Sequence, residues 1–68
     1  MNDDKLNSMD VEISYLKLVD GDYVDTRCVV TVEANSIEHA LDIADDIGYK
    51  NYSAYFTGAI KVVDSEGI

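Results

Sequence analysis

Residues 9–34 read MDVEISYLKLVDGDYVDTRCVVTVEA. Near the middle stands Asp20-Gly21, a pair that tolerates the positive φ angles of a type I′ turn and so marks a two-residue β-hairpin. Folding the stretch about that turn sets Val19 opposite Asp22 and Leu18 opposite Tyr23. Further from the turn, Tyr15 faces Thr26, Ile13 faces Cys28, Val11 faces Val30 and Met9 faces Val32. These last four pairs share one face. The turn and the apolar alternation therefore choose the same register, and a slip of one residue would turn the whole set to solvent. The spacing predicts a first strand over Met9–Val19 and a second over Tyr23–Ala34.

Downstream, Asn35-Ser36 precedes IEHALDIADDIG. Asn or Ser before an apolar-periodic run is an N-cap signal, and with Asn35 as the cap Glu38 takes the capping-box position. Ile37, Ala40, Leu41, Ala44 and Ile47 follow at helical spacing as one apolar stripe. Gly48 reads as the C-terminal stop. A third strand is expected within Tyr52–Val63, its alternation putting Tyr52, Ala54, Phe56, Gly58, Ile60 and Val62 on one face. The fold class is α+β, in the order β-β-α-β. The third strand pairs beside the first, giving a three-stranded antiparallel sheet of order 2-1-3, and a right-handed crossover lays the helix on one face. Residues 1–8 read as a flexible acidic tail, 9–64 as a single domain and 65–68 as a loose end.

The chain has 68 residues and one cysteine, which allows one domain and no internal disulfide. A domain this short buries only about 60% of its unfolded surface, so its stability margin is thin. The opening MNDDKLNSMD is not a secretory leader pattern, and no apolar run approaches the roughly 18 residues of a membrane span. The expected location is the cytoplasm of a bacterial host cell.

Fourteen acidic residues stand against five basic ones, for a formal charge of -9, while 47% of the chain is hydrophobic. A folded domain with this surplus repels nucleic acid and anionic lipid, so an electrostatic partner should be basic. Solubility alone is the competing explanation.

Chemistry-bearing residues are sparse. His39 is the only histidine and falls on the outer helix face; Cys28 falls on the inner strand face as a small core residue. No catalytic residue, metal site or cofactor is expected. The segment Asp20–Asp25 has acids at loop positions 1, 3 and 6 and its glycine at 2, unlike a calcium loop, and the turn accounts for it.

Acidity is concentrated instead. Glu38, Asp42, Asp45 and Asp46 line the polar side of the helix. Their i,i+3 and i,i+4 spacing, the poor helix propensity of Asp, and the position of Asp45 and Asp46 in the expected last turn all work against the helix. Breaks of local rules of this kind mark functional surfaces. Asp20, Asp22 and Asp25 form a second cluster at the hairpin tip. The sheet face away from the helix should carry Leu16, Leu18, Tyr23, Val29, Tyr55 and Val63, an apolar patch suited to a homodimer or a partner.

The stretch VVTVEANSIEHALDIA, Val29–Ala44, resembles a strand-cap-helix pattern of small phage and mobile-element proteins, including DpnD/PcfM-like proteins and some small anti-CRISPR proteins. It covers under a third of the chain. Size and acidity together are similar to the acidic anti-CRISPR inhibitors of type I systems. That resemblance implies a non-catalytic inhibitor that blocks DNA or PAM recognition by the Cascade surveillance complex. It carries over no binding residue. The expected function is thus a protein-binding DNA mimic with no direct nucleic-acid or membrane binding. The alternative is a regulatory or structural homodimer joined through the uncovered sheet face.

Overall fold

A computed structural model describes residues 6–65. Of the tails expected over 1–8 and 65–68, residues 1–5 and 66–68 lie outside the described residues, while residues 7, 8 and 65 belong to strands. Strand β1 spans Asn7–Val19, β2 spans Asp22–Ala34, helix α1 spans Ile37–Tyr52, a short 3₁₀ turn covers Ser53–Tyr55, and β3 spans Phe56–Ser65. The sheet is antiparallel with order β2-β1-β3. Both outer bounds exceed expectation: β1 starts two residues before Met9, and β3 runs two residues past Val63.

The β1–β2 register is the one the turn dictates, from Val19↔Asp22 through Ile13↔Cys28 to Met9↔Val32. Asp20 and Gly21 both hold positive φ, 52° and 86°, as a type I′ turn requires. The inner face of this ladder supplies most of the core. Met9, Val11, Ile13, Val32 and Ala34 are buried under Ala40 and Ala44 of the helix, with Phe56 closing the edge. Small residues on α1 let the helix approach the sheet closely, while the bulk comes from the strands.

Helix α1 is capped by Ser36, not Asn35. The Ser36 hydroxyl accepts from the His39 backbone N–H at 3.1 Å, and the Ser36 carbonyl accepts from the Ala40 N–H. With Ser36 as cap, the third helical position belongs to His39. Its Nδ1 accepts from the Asn35 backbone N–H at 3.3 Å, so an imidazole does the job expected of Glu38. Within the expected stripe, Ala40 and Ala44 are buried and Leu41 and Ile47 partly so, whereas Ile37 at the helix entrance is exposed.

The helix does not stop at Gly48. It runs one more turn to Tyr52 and is capped by Ser53, whose N–H donates to the Tyr49 carbonyl. Gly48 is buried because the Phe56 ring lies against it, where a side chain at 48 would stand. The glycine makes room; it does not break the helix.

Strand β3 departs most from expectation. Tyr52, Ala54 and Tyr55 are helical or 3₁₀. Within β3 the pairs with β1 are Tyr15↔Phe56, Ser14↔Gly58, Ile13↔Ala59, Glu12↔Lys61, Val11↔Val62, Asp10↔Asp64 and Met9↔Ser65, with three register shifts. Each shift inserts one unpaired residue: Thr57, Ile60 and Val63. The core-facing residues Phe56, Ala59 and Val62 therefore recur every third position. Ile60 is exposed and Gly58 sits on the opposite face, at a φ of 145°.

The helix covers only one end of the hairpin. Every residue from Lys17 to Asp25 is exposed, including Val19 and Val24 on the helix-side face. The described residues span 53 × 18 × 13 Å. Their radius of gyration of 13.5 Å exceeds the ~11 Å of a compact domain this size. The distal hairpin is an arm.

Candidate interaction surfaces

Helix α1 presents three of its four acids to solvent. Glu38, Asp42 and Asp46 are exposed and follow one another at i,i+4, about 6 Å of rise per step. Asp45 is different. It is half-buried, and its Oδ1 accepts from the Ala59 backbone N–H at 3.2 Å, tying α1 to β3 between two of the bulges. The ridge is thus Glu38, Asp42 and Asp46, with Asp45 serving the fold. Extension of the helix to Tyr52 also removes one of its apparent penalties. The last turn holds Lys50, favourably placed for the helix dipole, and no acid.

At the hairpin tip Asp20, Asp22 and Asp25 are all exposed. Asp25 and Arg27, two apart on one face of β2, approach to 4.0 Å. Both side chains are more than half exposed, so this pair is worth little to stability. Among the described residues it is the sole salt bridge.

A third acidic group lies apart from these two. Asp10 and Asp64 are register partners on the open sheet face and, with Ser8 and Thr31, line a shallow hollow. Asp10 Oδ1 accepts from the Thr31 hydroxyl at 2.7 Å, and Glu33 next to it on β2 accepts from Ser8 at 3.3 Å. The hairpin register alone predicts Asp10 opposite Thr31. The approach of Asp64 depends on the β3 bulges, which no periodicity in the sequence announces.

The open sheet face is apolar toward the arm. Leu18, Tyr23, Val29 and Tyr55 are exposed, and Leu16 is half-buried. Tyr55 reaches the patch from the 3₁₀ turn, not from a strand. Its ring stacks on Tyr23 with centroids 5.1 Å apart and the two hydroxyls 3.2 Å apart. Bonding to the Tyr55 hydroxyl raises the Tyr23 pKa above its ordinary value. Val63 is exposed as an unpaired bulge residue.

The two residues with nucleophile or ligand chemistry have structural surroundings. His39 closes the helix start. Cys28 is half-buried with its Sγ 3.8 Å from the Tyr52 hydroxyl, and the Tyr52 ring stacks on Tyr15 at 3.9 Å. Among the described residues no group of three or more His, Cys, Asp or Glu side chains is placed to hold a metal, and no helix is long and apolar enough to cross a membrane. No protein-family model matches the chain, and no curated protein or solved structure matches it.

Proposed function

We propose that this chain is a non-catalytic protein-binding inhibitor whose acidic surface occupies the nucleic-acid site of a basic partner, of the class represented by CRISPR surveillance complexes. The observation that carries the reading is the lack of neutralisation. Among the described residues only one acid, Asp25, lies within 4.0 Å of a cation, and six of the eight exposed acids are grouped, Glu38, Asp42 and Asp46 on the helix row and Asp20, Asp22 and Asp25 on the projecting tip. Carboxylates spaced regularly along a helix can meet Arg and Lys side chains arranged for backbone phosphates. A charge used for solubility alone needs no such grouping.

The test is competition. A purified type I surveillance complex is mixed with target duplex DNA, and the bound fraction is followed as the chain is added. Inhibition that fades with rising salt, and is lost in Asp42→Lys/Asp46→Lys, supports the reading. Undiminished DNA binding at saturating chain, or inhibition that the double variant retains in full, overturns it for this partner.

A further inference from the structure

The two edges of the sheet are built differently. The β3 edge is interrupted at Thr57, Ile60 and Val63 by bulges, a common way of discouraging strand addition. The β2 edge has thirteen residues in unbroken register with β1, and no proline. Because the type I′ turn makes Val19↔Asp22 a hydrogen-bonded pair, alternation leaves the N–H and C=O of Tyr23, Asp25, Arg27 and Val29 pointing away from β1. Much of this edge belongs to the arm that α1 leaves uncovered. A two-stranded ribbon is marginal by itself.

We infer that β2 pairs antiparallel with β2 of a second copy, about a two-fold axis at Thr26, forming a six-stranded sheet. The side chains select that register. Centred on Thr26, Asp25 faces Arg27 of the second copy and Arg27 faces its Asp25. Tyr23 faces Val29, and Val24 faces Cys28. Opposite charges and an aromatic against a β-branched residue are favourable cross-strand pairs. Centring on Asp25 or on Arg27 sets like charges against each other. Centring on Val24 or Cys28 leaves neither charge facing its opposite. The Thr26 register also makes about eight new backbone hydrogen bonds from groups that otherwise face water. It places the exposed Val24 beside a half-buried cysteine instead of solvent. The contact is isologous, so it closes at two copies and does not propagate through β2.

The test is a charge swap read by sedimentation equilibrium on the full chain. The wild type should be dimeric at high micromolar concentration, and Arg27→Asp, which leaves only acids at the seam, should be monomeric. Asp25→Arg/Arg27→Asp exchanges the two charges, keeps the net charge at -9, and should restore the dimer. A second probe is Cys28→Ser/Thr26→Cys. On mild oxidation the thiol introduced at position 26 should cross-link to its counterpart in the second copy, since directly opposed non-hydrogen-bonded positions lie close enough for a disulfide. Circular dichroism establishes that each variant is folded. A wild type that stays monomeric throughout the concentration range overturns the proposal. So does a dimer that Arg27→Asp leaves intact, or one that the swap fails to restore.

Discussion

The ring of Phe56 rests against the backbone of Gly48, filling the volume that any side chain at 48 would need. This contact seats the start of β3 under the last turns of α1, and it explains a glycine inside a helix. Gly48→Ala would gain up to about 1 kcal/mol in helix propensity. Overpacking a buried ring costs ~1–3 kcal/mol, and Phe56 is buried, so the cost should prevail. The expected outcome is a lower urea midpoint for Gly48→Ala, partly recovered in Gly48→Ala/Phe56→Leu.

Tyr52 gives a pH signature. The bond to Cys28, followed by desolvation, pushes its hydroxyl from the ordinary 10.0 up to about 12. An unfolded tyrosine therefore loses its proton first. Between those two values the unfolded state binds fewer protons, so stability falls as pH rises. The contribution is complete below about pH 10 and is lost through about pH 12. Tyr52→Phe keeps the ring over Tyr15 but has no proton to lose. Urea midpoints measured from about pH 9 upward should decline less steeply in this variant than in the wild type.

Asp45 and Asp42 should respond in opposite ways. Asp45→Ala strands the Ala59 N–H that its carboxylate accepts, at a cost of about 1–2 kcal/mol. Asp42→Ala relieves repulsion from Glu38 and Asp46 and improves helix propensity, for a gain of about 0.5 kcal/mol. Thermal melts of the two variants distinguish them. If the acidic row serves a partner, Asp42→Ala/Asp46→Ala will be the more stable protein and the weaker inhibitor.

The facing carboxylates of Asp10 and Asp64 predict a gain on neutralisation. Like charges directly opposed across strands are unfavourable by ~0.2–1 kcal/mol. Asp64→Asn should raise the melting temperature at low ionic strength, and the difference should shrink in high salt as screening takes over.

The hairpin was legible because two independent signals agreed. Asp20-Gly21 demands positive φ, and the alternation from Met9 to Val32 has one register that buries it. The start of α1 was legible to within one residue, since Asn35 and Ser36 are both good caps and only the hydrogen bond of Ser36 to His39 decides between them. Exposure of Glu38, Asp42 and Asp46 follows from helical spacing opposite the Ala40–Ala44 stripe. These are local properties, set by turn chemistry, capping and periodicity over a few residues. The remainder depends on contacts between distant parts of the chain. Gly48 is a stop signal in isolation and a packing site once Phe56 arrives. The alternation expected of β3 fails because three bulges convert the period of its core-facing residues from two to three. Those same bulges bring Asp64 to Asp10 and the Ala59 N–H to Asp45, turning one acid of an apparent ridge into a structural tie. That α1 stops short of the hairpin arm is likewise a tertiary outcome. A helix of sixteen residues rises only about 24 Å, and strands of thirteen extend ~43 Å, so the far end of the sheet is left uncovered.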